Sequence, residues 1–323
     1  MHQTVDYTPS RDDPYFEAAL VEYRAHRPAK TTGNPYHVLG EPVGDMRDNM
    51  GCQNRDLSAG VTVRSVTLDG VQARCYQAGE DPDGPCLFFI HGGGFVGGSV
   101  QVMENPCKYL AQITGGLVVN IDYRLAPETA FPGNMVDCIR AVRAVLRDGN
   151  FQFDRRKAFL AGDSAGANLV LACLQTMKPG YFAGAVLYYP VVDLACGPLW
   201  HWDESLYRGW PDALVQHCAT SLQGNEPLMQ KLYLQGNAGA DDPLVSPIYR
   251  EGGFGCPLLI QYAEYDYLRP QVEAFARRLA AKGTQVDTIL YRGLNHAFLD
   301  LFGIVPQAQE SVERMGAFIR RHG

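Results

Sequence analysis

Segments that are apolar at every position, each followed by a stretch of helical periodicity, constrain this chain more than any other feature. Leu87-Phe88-Phe89-Ile90 and Leu117-Val118-Val119 are continuous apolar runs rather than alternating ones. A strand with one wet face alternates, whereas a strand that is apolar throughout is covered on both faces, as in a parallel sheet layered between helices. Strands are expected near 61–67, 71–77, 86–91, 116–122, 158–162, 184–190, 257–263 and 286–291. Helices are expected over 12–26, 101–113, 134–148, 165–177, 270–282 and 306–321. In the last, Ala308, Val312, Met315, Phe318 and Ile319 share a face. Alternation of β and α from the third strand onward predicts an α/β fold, a mostly parallel doubly wound sheet with a short antiparallel start. Residues 194–235 break the rhythm. They hold all three tryptophans (Trp200, Trp202, Trp210) and no clear strand, as an inserted lid would.

The 323 residues suit one large domain with an insertion, and an apolar share of 46% is ample for a core. A net charge of −7 offers no basic field for nucleic acid or anionic lipid. No apolar stretch is long enough to span a bilayer. The opening Met1-His2-Gln3-Thr4-Val5-Asp6 has neither a basic n-region nor an apolar h-region. Nine cysteines (52, 75, 86, 107, 138, 173, 196, 218, 256) are scattered singly. An odd, dispersed set fits reduced thiols, so a cytoplasmic location is expected.

Gly162-Asp163-Ser164-Ala165-Gly166 follows a strand and opens a helix. A nucleophile on such a sharp turn leaves no room for bulk two residues to either side, so the small residues at 162 and 166 are a steric demand. Chance alone yields G-x-S-x-G in roughly one chain in ten of this length, and the strand–turn–helix context lowers that severalfold. His91-Gly92-Gly93-Gly94-Phe95 ends the strand expected at 86–91. Acyl transfer passes through an oxyanion that needs backbone N–H groups aimed at it, and glycines allow that approach. Gly93, Gly94 and Ala165 are the candidate donors, and His91 is read as structural.

Ser164 requires a base and an orienting acid. Among eight histidines, His296 in Gly293-Leu294-Asn295-His296-Ala297-Phe298 lies just beyond the last strand, at the carboxyl end where open α/β sheets carry their sites. The loop after the preceding strand holds Glu264-Tyr265-Asp266-Tyr267-Leu268. Asp266 is the preferred acid and Glu264 the reserve, while Asp163 reads as a turn-stabilising carboxylate. A rival motif overlaps the glycine loop. Gly92-x-Gly94-x-x-Gly97 matches a dinucleotide fingerprint with Asp122 ending the next strand, but that pairing leaves the elbow and His296 unexplained.

Taken together, HGGGF (91–95), DYRLAPE (122–128), GDSAG (162–166), YP (189–190), AEYDYL (263–268) and GLNHAF (293–298) resemble the hormone-sensitive lipase family of α/β-hydrolases. The resemblance spans about residues 86–300. It implies an eight-stranded α/β-hydrolase core (51–193 and 236–323) and a helical cap built from 1–50 and 194–235. It also implies Ser164, Asp266 and His296 as triad, with Gly93, Gly94 and Ala165 as oxyanion hole, and a structural role for Asp122, Arg124 and Glu128. The family follows its acid with Pro-Leu-Arg-Asp, whereas Asp266 is followed by Tyr267-Leu268-Arg269-Pro270. One support expected for His296 is thereby absent.

The expected activity is that of a serine carboxylesterase acting on short acyl chains, with a small-molecule ester as partner. No nucleic acid, membrane span, metal or organic cofactor is expected, and a homodimer is compatible with the sequence. A non-catalytic ligand receptor on this fold and a nicotinamide-dependent oxidoreductase are the alternatives. The same triad also serves amide and lactone cleavage.

Overall fold

The computed structural model describes residues 4–7, 43, 47, 50, 51, 54–79, 81–210 and 212–323. The helix expected over 12–26, Cys52 and most of the segment 1–50 lie outside the described residues. Nine strands form one sheet: β1 (Thr4–Tyr7), β2 (Thr62–Leu68), β3 (Val71–Gln77), β4 (Cys86–Ile90), β5 (Leu117–Asp122), β6 (Ala158–Asp163), β7 (Gly184–Tyr188), β8 (Leu258–Tyr265) and β9 (Val286–Asn295). Their spatial order is β1-β9-β8-β7-β6-β4-β5-β3-β2. Only β3 runs against its neighbours β2 and β5.

All eight expected strands are present, and the short β1 adds a ninth by pairing parallel to β9. Thr4-Val5-Asp6-Tyr7 alternates polar and apolar, but only over the shortest length at which a strand is legible, and no strand was expected there. The β2–β3 turn is legible: Asp69 and Gly70 both take positive φ (48° and 84°), as a two-residue hairpin turn compatible with strand twist requires. Strand β9 is four residues longer than the expected 286–291, because Gly293 and Asn295, turn formers by composition, stay in the ladder. Its pairing with β8 shifts register at Ala263/Tyr265 to accommodate them.

The five expected helices that fall on described residues form with ends within about three residues, as is usual for helix boundaries. They are α1 (Glu104–Thr114), α2 (Gly133–Arg147), α3 (Ala165–Thr176), α6 (Arg269–Ala281) and α7 (Pro306–His322), with α4 (Ala213–Ala219) and α5 (Glu226–Met229) in the insertion. Helix α1 packs on α7, and α2 packs on α3. Helix pairs of this kind cover the fully buried faces of β4, β6, β7 and β8. Among the described residues no helix is long and apolar enough to cross a membrane.

Asn168 on α3 fastens the segments that flank the insertion. Its buried Nδ2 donates to the carbonyls of Val191 (2.9 Å) and Val245 (2.8 Å). Removing it strands two buried acceptors, each worth about 1–3 kcal/mol. Asn168→Ala is therefore expected to lower stability by about 2–4 kcal/mol, seen as a fall in the urea midpoint at constant slope.

Candidate active site

The sheet reverses its direction of growth at β4. The chain passes from β4 to β5 on one side and then returns to place β6 on the other, with Ile90 paired to Gly162. Loops leaving two such strands diverge over a crevice at their carboxyl ends. Here those loops are the glycine run after β4 and the Ser164 turn after β6.

Ser164 sits at φ 52°, ψ −118°, a conformation held only when its surroundings over-determine it. The surroundings are backbone. A Cβ at Gly166 would lie 2.0 Å from the carbonyl oxygen of Ile90 and 2.4 Å from that of His91, and one at Gly162 would lie 2.6 Å from Ile90 O. The steric demand read from the motif is a contact of strand β4 with the start of α3. Asp163 ties the two loops together, its Oδ1 accepting from Gly92 N–H at 2.8 Å. Gly93 and Gly94 both take positive φ (118° and 60°) and line the same cavity as Ser164. Ala165 is the first residue of α3, where an N–H has no intrahelical acceptor.

The structure brings Ser164, His296 and Asp266 into one line. Ser164 Oγ lies 2.9 Å from His296 Nε2, and His296 Nδ1 lies 2.8 Å from Asp266 Oδ2. Asp266 is fully buried, and its other oxygen accepts from Leu268 N–H at 2.8 Å. A carboxylate only accepts, so the imidazole proton sits on Nδ1 and Nε2 is left to receive from the serine hydroxyl. His201 and His217 are exposed in the insertion, and His2, His26 and His37 lie outside the described residues. His91 is buried, stacked on Tyr123 at 4.5 Å, with Nδ1 against Gly92 O at 2.8 Å. Burial lowers its pKa, which suits a neutral strut in the loop.

Two groups that sequence reasoning did not place as supports position the histidine. Tyr189, just past β7 at φ 35°, packs its ring edge-on to His296 (4.8 Å), and its hydroxyl accepts from Leu299 N–H at 3.3 Å. Tyr207 in the insertion donates from its hydroxyl to the carbonyl of Asp266 at 3.0 Å. Arg269 N–H reaches the same carbonyl at 3.0 Å, while Pro270 occupies the first turn of α6. The aspartate loop is thus held from the insertion and from its own helix, without the missing second acid. Glu264, the reserve acid, serves elsewhere: it pairs with Arg208 of the insertion and accepts from Gly293 N–H at 2.9 Å.

Arg124 chelates the buried carboxylate of Asp137 (2.7 and 2.8 Å), and Glu128 pairs with Arg47 (2.8 and 2.9 Å). Asp122 is exposed at the end of β5. The dinucleotide motif fails on geometry. Its glycine loop opens no helix, since α1 begins only at Glu104, and the space beside Gly97 is filled by the Met50 sulfur.

A cavity of about 250 Å³ opens over Ser164 and His296. Val102, Met103, Val191 and Leu268 supply apolar wall, and the insertion adds Leu194, Leu222, Asn225, Glu226 and Met229. None of the three tryptophans lines it. Trp202 and Trp210 pack with Tyr207, while Trp200 donates to Asp193 at 2.8 Å.

The family described as alpha/beta hydrolase fold matches residues 87–300. The chain belongs to this family. Among relatives of this α/β-hydrolase is the carboxylic ester hydrolase LipN of Mycobacterium tuberculosis, 30% identical over 81% of this chain and 71% of that protein. The acetyl-hydrolase of Streptomyces hygroscopicus is 29% identical over 87% of this chain and 84% of its own. A solved esterase of the bacterial hormone-sensitive lipase family superposes with a TM-score of 0.74 at 26% identity, covering 98% of this chain and 99% of that one. The resemblance to hormone-sensitive lipase read from the motifs therefore holds.

Asp163 is buried, and desolvation pushes its pKa up to about 6 against the lowering effect of the Gly92 N–H. The unfolded chain then releases this proton at lower pH than the folded one, so folding stability falls as pH rises from about 4 through about 6. Asp163→Asn keeps an acceptor for Gly92 without an ionisation. Relative to wild type, its unfolding free energy is expected to rise by about 2–3 kcal/mol between about pH 4 and about pH 8, measured by denaturant titration.

Proposed function

We propose that this α/β-hydrolase is a serine carboxylesterase that cleaves short-chain acyl esters through an acyl-enzyme on Ser164. The observation that carries this is the unbroken relay from Ser164 Oγ through His296 to Asp266, at 2.9 and 2.8 Å. Ser164 Oγ attacks the ester carbonyl while His296 Nε2 takes its proton. Asp266 holds the Nδ1 tautomer and stabilises the imidazolium. The N–H groups of Gly93, Gly94 and Ala165 receive the oxyanion. Collapse expels the alcohol with the proton from His296, and water then repeats the sequence to release the acid and restore Ser164.

The short-chain preference is supported by the small cavity and by relatives named acetyl-hydrolase and ethyl acetate hydrolase. In this proposal residues 194–235, with 1–50, form a cap over a core of 51–193 and 236–323. Support comes from Leu222, Asn225 and Met229, which reach the cavity from the insertion. Cys75, Cys86, Cys107, Cys138, Cys173, Cys196 and Cys256 are free thiols, in keeping with a cytoplasmic location.

Hydrolysis of p-nitrophenyl esters from acetate to laurate tests the proposal. Wild type is expected to be fastest on the shortest chains, and Ser164→Ala to lose at least about 10⁴-fold in kcat. Full activity in Ser164→Ala overturns the assignment. Asp266→Asn retains the geometry but permits the wrong tautomer, and is expected to lower kcat roughly 10⁴-fold with KM nearly unchanged.

A further inference from the structure

Four carboxyl side chains line the cavity among the described residues, Asp163, Asp193, Glu226 and Asp300, with no lysine or arginine beside them. Two are structural. Asp163 holds Gly92, and Asp193 accepts from Ala195 N–H (2.8 Å), Gly197 N–H (3.1 Å) and Trp200 Nε1 (2.8 Å). Asp300 is different. It stands in the short 3-10 turn Phe298–Leu301 that follows His296 and is only 6% exposed, yet no described residue hydrogen-bonds to its carboxyl group. Its oxygens are not among the polar atoms sealed from the cavity without a partner. Desolvation, and then the nearby Asp163, push its pKa well above the usual carboxylate range. On the insertion side, Glu226 is 7% exposed, and its unpaired Oε1 is sealed from the cavity, unlike the oxygens of Asp300.

Leaving a polar group buried and unpaired is costly, so such a group in a substrate cavity gains most when the ligand supplies the missing partner. The ester group offers acceptors only, so it can serve the proton of a neutral Asp300 but leaves that residue's carbonyl oxygen without a donor. We propose that Asp300 is a specificity-determining residue, and that the substrate is an ester bearing a hydrogen-bond donor, a hydroxyl or an ammonium, away from its scissile bond. Deepening the esterase assignment above, on which it rests, this predicts that anionic esters are rejected. Among the described residues, a carboxylate tail would find no lysine or arginine lining the cavity, and a His91 kept neutral by burial.

Two matched series test the proposal, with acid release followed by pH-stat. On the acyl side are ethyl butanoate, ethyl 3-hydroxybutanoate, ethyl 3-(dimethylamino)propanoate and monoethyl succinate. On the alcohol side are propyl, 2-hydroxyethyl and 2-(dimethylamino)ethyl acetate. In at least one series, wild type is expected to favour a donor-bearing ester over its apolar match by at least about tenfold in kcat/KM, with the succinate slowest of its set. Asp300→Val is expected to abolish that ratio. If Asp300→Asn keeps it, the donor is a hydroxyl; if Asp300→Asn loses it, the donor is an ammonium. Because the readout is a ratio within each protein, a general loss of activity cancels, and the wild-type comparison needs no variant. Equal rates within both series, or a ratio unchanged in Asp300→Val, overturn the proposal while the esterase assignment stands. Failure of wild type on the plain esters overturns the assignment and the proposal together.

Discussion

Everything at this site depends on how closely the start of helix α3 lies against the end of strand β4. Gly166 and Gly162 leave no more than a carbonyl's width between them and the backbone of Ile90 and His91. That approach holds Ser164 at a positive φ its side chain disfavours, at a strain of roughly 1–3 kcal/mol. It also lowers the glycine loop onto the same crevice, where one hydrogen bond from Gly92 to Asp163 locks the two turns in register. Candidate nucleophile and candidate oxyanion donors are one packed unit. The histidine and its acid arrive separately, from strands two and three places along the sheet.

Much of the fold was legible because each buried strand is apolar without interruption and each covering helix keeps its period. The same physics explains what was not. Strand β1 is four residues whose polar–apolar alternation is too brief to stand out, and they gain their structure by pairing with β9. The extension of β9 to Asn295 runs through residues whose composition favours turns, and only the β8 partner keeps them extended. Within the site, the residues that the structure aligns in the relay were each marked by their place after a strand. Tyr207 and Asp300 carried no such mark, and Tyr189, though it stands just past β7 in the YP motif, carried no sign of its contact with His296. Their importance lies in what they touch across 59 residues of chain, around a ring, or into an empty volume, none of which is encoded nearby. The aromatics of the insertion use their large surfaces to pack the insertion onto itself and the core.

The change from an acid to Pro270 shows how one constraint can be met by another route. The aspartate loop needs its carbonyl and its free carboxylate oxygen satisfied so that the remaining oxygen faces His296 without ambiguity. Leu268 N–H, Arg269 N–H and the Tyr207 hydroxyl do this together. Proline in the first turn of α6 is compatible because backbone donors there have no helical acceptor to lose.

Through Tyr207 and Arg208, the insertion grips the acid loop at Asp266 and the end of β8 at Glu264, and Glu264 in turn holds Gly293 on the strand that delivers His296. The segment between β7 and β8 is therefore a brace as well as a wall. Grafting a relative's insertion onto this core to change substrate range would also exchange the fittings that aim the histidine. A chimera that keeps Tyr207 and Arg208 while varying Leu222 to Met229 would separate the two roles, altering what enters the cavity without loosening what waits there.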